Sequence, residues 1–416
     1  MQKRQLYAIF AIIFVNIFGA MMILPVLALY AKGQFGASVQ LAALLATAYF
    51  GAQFLAAPVL GRLSDRFGRR PLLIISQAGT VLSFIMFIYA EQLGDWVDGF
   101  GLGLALNSPM VVMFAARILD GITGGNITIA RAYVSDISTP ETRTQSLGLL
   151  TAAFGMGFIF GPAVGGLLSN LSLLAPFYGA TLITLLTLLL TALILQESLP
   201  PEQRTQELLK RSSIPLRQAL QDRNLALLLL ITFIQSLAFS AIPAVYALYA
   251  EMVVFPDITD LQQVSSNVGV MLAYSGLVTV ITQAVLIKHI VRWLGEPKMV
   301  PVGMAIFFSG LAITPLFTHP LLVTLMFTPY SLGRGIVDPS LQSLISKLAN
   351  PQHRGRYLGL YQSATSLALI FGPIYSGWVF DNISPQAIFW VSGIILLPGL
   401  LLALLVRPRL KQAITG

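Results

Sequence analysis

The sequence predicts an all-α membrane protein of twelve transmembrane helices, arranged as two similar six-helix bundles. Three observations carry that prediction. Of the 416 residues 56% are hydrophobic and only 10% are charged, a balance outside the range of water-soluble domains. Apolar runs of the length that crosses a bilayer, about 20 residues, recur at 6–31, 38–60, 71–90, 108–134, 145–169, 173–196, 224–250, 266–290, 298–318, 320–347, 356–380 and 387–406. The chain also matches itself: an offset of 211 residues aligns Pro140, Arg143, Leu147, Gly148, Ala153, Ile159, Phe160, Gly161, Pro162 and Gly166 with Pro351, Arg354, Leu358, Gly359, Ala364, Ile370, Phe371, Gly372, Pro373 and Gly377.

The first run is too long for the apolar region of a secretory signal, contains Asn16, and is followed by no small-residue cleavage site, so it is read as the first helix of the mature protein. The repeat sets the fifth span against the eleventh. A second match pairs Asn16 and Ala28–Ala31 with Gln235 and Ala247–Ala250, each with a proline upstream (Pro25, Pro243), which sets the first span against the seventh. Each half is therefore a unit of six helices, 1–196 and 224–416, with 197–223 as a cytoplasmic linker.

Charge placement gives the topology. With a cytoplasmic N-terminus, only Lys32 of the 25 basic residues falls in an outer loop, whereas Glu91, Asp95, Asp98, Glu251, Asp257, Asp260 and Asp381 lie outside. That is the positive-inside bias, with both termini cytoplasmic. The net charge of +8 is thus a matter of topology, and no nucleic-acid partner is expected. Cysteine is absent and the histidines, His289, His319 and His353, are scattered near span ends, so neither disulfide, metal nor other cofactor is expected. No nucleophile, base and orienting group converge, and no glycine loop with lysine cradles a phosphate, so an enzyme is not expected either. Energy is left to come from an ion gradient.

Ionisable groups inside a bilayer cost about 2.5–3.5 kcal/mol each on insertion scales and are functional candidates by default. Two basic residues, Arg117 and Arg334, lie inside spans, each with an acid three or four residues on: Asp120 in span four and Asp338 in span ten. Each pair shares a helical face and neutralises itself. A structural ion pair is one reading; a carboxylate that takes up and releases protons, tuned by its arginine, is the other. Between the acids the reading favours Asp120, because it adjoins Arg117, a residue of the span-four motif described below, whereas Asp338 precedes Pro339 and can serve helix geometry. Ala153, Gly157, Gly161 and Gly165 recur every fourth position, a smooth stripe for close helix approach, and Pro162 should bend that helix.

Three motifs resemble the major facilitator superfamily and, within it, the drug:proton antiporter branch with twelve spans. Gly61-Arg62-Leu63-Ser64-Asp65-Arg66-Phe67-Gly68-Arg69-Arg70-Pro71 is similar to the loop motif between spans two and three, Arg117, Gly121, Gly124 and Gly125 to that of span four, and Gly157, Gly161, Pro162, Gly165 and Gly166 to the antiporter motif of span five. The resemblance implies the major facilitator fold, export by proton antiport with alternating access, and a latch in which Gly61, Asp65, Arg69 and Asp136 gate the cytoplasmic side. The branch often carries an acid in span one, where this chain has Asn16, and often an amide at the place of Asp120. Either the acid has moved, or the coupling differs or is absent.

The expected substrate is a lipophilic or amphiphilic small molecule, from cavity candidates Asn16, Phe18, Asn126, Gln235, Phe239 and Tyr330, a mixture of aromatics and amides unsuited to polyhydroxylated sugars. Expected partners are that substrate, protons and the lipid bilayer; a monomer in a plasma membrane, prokaryotic inner membrane by preference, is expected. Two alternatives stay open: a lipid or lysolipid translocase on the same fold, and a non-transporting sensor or receptor.

Overall fold

The computed structural model describes residues 2–99, 107–124, 126–139, 142–200, 202, 221–349 and 354–415. Twelve long helices account for the expected spans: α1 (Gln5–Phe35), α2 (Val39–Phe67), α3 (Arg69–Ile88), α4 (Ser108–Ile137), α5 (Arg143–Ser169), α6 (Ala175–Ile194), α7 (Arg223–Val254), α8 (Leu261–Leu294), α9 (Glu296–Leu316), α10 (Pro320–Leu348), α11 (Arg354–Asn382) and α12 (Ala387–Thr415). The described residues contain no strand. Ten of these helices are long and apolar enough over the described residues to cross a membrane; α5 and α10 are of like length.

Local chemistry places the helix starts. Ser38 caps α2 by accepting from the Leu41 N–H at 3.2 Å, Asn107 caps α4 by accepting from Met110 N–H at 3.1 Å, and the Asp222 carboxylate caps α7 by accepting from Asn224 and Leu225. Each satisfies backbone donors that a helix start leaves without partners. Helices α2 and α3 meet through a single residue, Gly68, with φ 104°, and α8 and α9 meet the same way through Gly295, with φ 69°. A left-handed φ in so short a turn calls for glycine.

Contacts divide the chain into two units, Met1–Ser212 with Thr259–Ala273, and Ser213–Ile258 with Tyr274–Gly416. In the first, α1 packs on α5 and α6, and α3 on α4 and α6. In the second, α7 packs on α11 and α12, and α9 on α10 and α12. The two sets of pairings are the same after a shift of six helices, so the internal repeat of the sequence is a repeat of packing. Most of the linker, 203–220, lies outside the described residues, as do Gly125, Pro140 and Pro351.

The polarity of the surfaces is that of a protein dissolved in lipid. Leu55, Leu193 and Leu405 are 73%, 82% and 72% exposed, whereas Thr184, Thr187 and Thr191, one stripe of α6, are fully buried. Two of these threonines close their hydroxyls on the carbonyl four residues back, Thr187 on Ile183 and Thr191 on Thr187, each at 2.8 Å. A hydroxyl satisfied by its own helix can be buried without water.

Candidate functional site

The antiporter-type stripe of α5 lies against α1. A Cβ on Gly157 would come within 2.7 Å of Ile17 Cγ2, one on Gly161 would meet Met21, and one on Gly165 would run into the Met22 carbonyl. The turn-by-turn glycines therefore let two backbones touch. One position on, Gly166 faces the first half of α8, where a Cβ would stand 2.9 Å from Gly269 Cα, and the hydroxyls of Ser169 and Ser265 hydrogen-bond at 2.8 Å. Pro162 is buried within the same unbroken helix. In the second unit the repeat partners pack likewise: a Cβ on Gly372 of α11 would strike Ser240 of α7, whose hydroxyl donates to the Ala368 carbonyl at 3.0 Å.

The charged motif between α2 and α3 closes on itself within the first unit. Arg69, 4% exposed, donates from Nη1 to Asp65 and to Ser64 Oγ and from Nε to Asp136 Oδ2 at 3.0 Å. Gly61 is buried, and its carbonyl accepts from the Ser64 hydroxyl at 2.8 Å. The structure thus brings Asp65, Arg69 and Asp136 together: the first two lie four residues apart, and the third is the one the family resemblance adds to them. Glu197, just beyond α6, completes the cluster: its carboxylate accepts from the backbone N–H groups of Arg69 at 2.8 Å and Arg70 at 3.2 Å. An acid at this helix start offsets the positive end of the helix dipole, to which two successive arginines add.

The second unit carries a charge-reversed counterpart. Glu296, in the first turn of α9, pairs with Lys347 at 2.7 Å and accepts from Ser343 at 2.9 Å. The offset of 211 residues that aligns the halves sets Asp136 on Lys347. At equivalent ends of the two units a base on the odd helix meets an acid on the even one, and then the reverse.

Inside the spans, both Arg–Asp pairs form. Arg117 and Asp120 are 3.4 Å apart with side chains 11% and 6% exposed. The guanidinium lies 5.0 Å from the Tyr49 ring and 5.8 Å from the Phe87 ring, and Thr80 donates to Asp120 Oδ1 at 3.1 Å. Charge on both partners, two ring faces and a hydroxyl make a packed ion pair. Arg334 and Asp338 are 3.5 Å apart and more open, 26% and 21% exposed. Here the Arg334 guanidinium lies 3.1 Å from the Phe239 ring centroid, and Asp338 Oδ1 accepts from Gln235 Nε2 at 2.8 Å and from the Tyr361 hydroxyl at 3.2 Å.

Of the cavity candidates, Gln235, Phe239 and Tyr330 converge on this second pair: Phe239 and Tyr330 stack at 6.0 Å, beside Arg334. Asn16 and Phe18 are partly exposed on α1, Phe18 stacked on Phe14 at 5.7 Å. The Asn126 side chain lies outside the described residues. Sequence reasoning missed Glu197, Thr80, Tyr49 and Tyr361. The repeat offset sets Lys347 opposite Asp136, but it sets Glu296 opposite Ile85, so the Glu296–Lys347 pair was not legible from it.

Two repeated six-helix units, each with an Arg–Asp pair inside a long helix, one packed and one partly open, are the frame of a polytopic membrane transporter of small molecules. The family model of the Major Facilitator Superfamily matches residues 9–256 and 246–415. The chain is 30% identical to the class C tetracycline resistance protein of Escherichia coli, over 86% of this chain and 84% of that one. It is 28% identical to multidrug resistance protein 2 of Bacillus subtilis (strain 168), over 99% and 97%. Among solved structures, a D-xylose–proton symporter superimposes with a TM-score of 0.72 at 16% identity, covering 96% of each chain. The human organic anion transporter MFSD10 superimposes with 0.67 at 22% identity, covering 97% and 99%. The chain belongs to the Major Facilitator Superfamily.

Proposed function

We propose that the protein exports lipophilic or amphiphilic small molecules from the cytoplasm in exchange for protons, by alternating access, in a prokaryotic inner membrane. The observation that carries the reading is the presence in each unit of a carboxylate inside a span and paired with arginine, Asp120 with Arg117 and Asp338 with Arg334. Carboxylates so placed are expensive to bury and are the groups able to hold an exchanged proton. The aromatic and amide lining of Phe239, Tyr330 and Gln235 suits a substrate with an apolar body and few polar groups. Tetracycline and multidrug resistance proteins among the relatives favour the export direction and this substrate class.

In this reading the halves are 1–196 and 224–416, joined by the linker 197–223, and the chain works as a monomer with both termini cytoplasmic. Gly61, Asp65, Arg69 and Asp136 serve as the cytoplasmic gate, and the glycines of α5 with Pro162 are the surface on which helices slide. The experiment is uptake into proteoliposomes under an imposed pH gradient, with tetracycline and ethidium as probes. Accumulation that follows the gradient and collapses with a protonophore is expected. Probe movement indifferent to the gradient, or none at all for either probe, contradicts the proposal.

A further inference from the structure

The two intramembrane acids are not equivalent. Asp120 is closed in: its side chain is 6% exposed, and its arginine is held against two aromatic rings. A proton carrier has to meet water, and little of Asp120 does. Asp338 is 21% exposed and stands at the end of a chain of hydrogen bonds. Gln342, one turn further along α10 and exposed, donates to the Tyr361 hydroxyl at 3.3 Å, which donates to Asp338 Oδ1 at 3.2 Å. The chain holds the carboxyl in place beside the exposed face of α10, and the part of Asp338 that is itself open can take its proton from water.

A second observation concerns Gln235. It is 1% exposed, its Nε2 donates to Asp338, and its Oε1 is buried with no hydrogen-bond partner. A buried acceptor without a partner is costly and wants a reason. A carboxylate beside it offers only acceptors; a carboxylic acid offers a donor. The two ends of an amide fill the same space, so rotating the Gln235 amide exchanges a donor to the carboxylate for an acceptor of the acid's O–H. The amide can thus meet either protonation state of the carboxyl by turning over.

We propose that Asp338 is the carboxylate that loads and releases the exchanged proton, with Gln235 as its positioning residue, and that Arg117–Asp120 is a fixed structural pair. Loading adds one proton to a carboxyl oxygen and takes Asp338 from charge −1 to zero. The Gln235 amide turns to accept the new O–H, and Arg334 loses its anionic partner while keeping the Phe239 ring. Release reverses each change. Among the described residues the charged and titratable groups facing Asp338 are Arg334 on α10 and Tyr361 on α11; α7 presents the uncharged Gln235, and Glu296 of α9 is engaged by Lys347. The inference rests on the antiport reading above and reverses the preference for Asp120 that the sequence suggests.

The test separates two transport modes in proteoliposomes loaded with ethidium: uptake driven by a pH gradient, and exchange of labelled for unlabelled ethidium at equal pH. Asp338→Asn should lower gradient-driven uptake by about tenfold or more beyond whatever loss it causes in exchange, because only the coupled mode needs the proton. Asp120→Asn should lower both modes by a common factor. Gln235→Met, which removes both amide functions at similar volume, should move the pH midpoint of gradient-driven uptake by about half a unit or more. If Asp120→Asn splits the modes and Asp338→Asn does not, the assignment is overturned while antiport stands. If the unaltered protein ignores the gradient, antiport falls and the assignment with it. Should Asp338→Asn not fold, an unchanged midpoint in Gln235→Met overturns the proposal by itself.

Discussion

Arg117 shows how a single charged side chain is kept inside a membrane protein. Its Nε is buried without a hydrogen-bond partner, yet Asp120 lies 3.4 Å away and the rings of Tyr49 and Phe87 flank the guanidinium. Removing one member of a buried pair strands the other, which costs about 3–5 kcal/mol, whereas removing both can be nearly neutral. Arg117→Gln is therefore expected to lower stability by about that amount, and Arg117→Gln with Asp120→Asn to recover more than half of the loss. Thermal unfolding of the purified protein in detergent reads both. A double variant as unstable as the single would mean that Arg117 matters through its ring contacts rather than through its charge.

At the scale of elements, the one-residue turns decide where charge goes. Gly68 ends α2 and starts α3 at once, so Asp65 in the last turn of one helix lies within reach of Arg69 in the first turn of the next. Asp65→Asn is expected to leave the protein inserted and folded but to slow transport several-fold, since Arg69 then keeps Asp136 as its charged partner at 3.0 Å. Normal transport in that variant would remove the gate from the mechanism. In the second unit, Lys347→Glu sets two acids against each other at the start of α9, and like charges at that range repel. Adding Glu296→Lys rebuilds the pair in the polarity of Arg69 and Asp136, and recovery of yield and thermal stability in the double variant is the expected result.

How much of this was legible beforehand depended on sequence distance. The spans were readable because apolar length is a local property: the expected run at 173–196 is α6, Ala175–Ile194, and that at 320–347 is α10, Pro320–Leu348. Helix α2 runs past the expected span end at residue 60 to Phe67, because the apolar run stops at Arg62, Asp65 and Arg66 while the helix continues. Pairs three or four residues apart were legible for the same local reason. Glu197, which closes on Arg69 from 128 residues away, and Tyr361, which reaches Asp338 from another helix, leave no periodic trace in a single sequence. Gln235 was singled out as a cavity amide, but nothing in its neighbours along the chain pointed to the acid it serves.

For the whole molecule, the sidedness of charge is the property on which transport direction depends, and the chain is well suited to measuring it. It contains no cysteine, so a single introduced thiol is the only target for a membrane-impermeant maleimide. Asp257 lies exposed in the segment 255–260 between α7 and α8, and Lys288 lies exposed near the other end of α8. A helix of 34 residues, rising about 1.5 Å per residue, is longer than the roughly 30 Å apolar layer, so residues near its two ends belong to opposite sides. The basic residues gather on the Lys288 side, and that side is expected to be cytoplasmic. Asp257→Cys should therefore react in intact cells, Lys288→Cys only after the membrane is opened, and tags on both termini should report the cytoplasm. Labelling of Lys288→Cys in intact cells would invert the assignment and, with it, the export direction proposed for the protein.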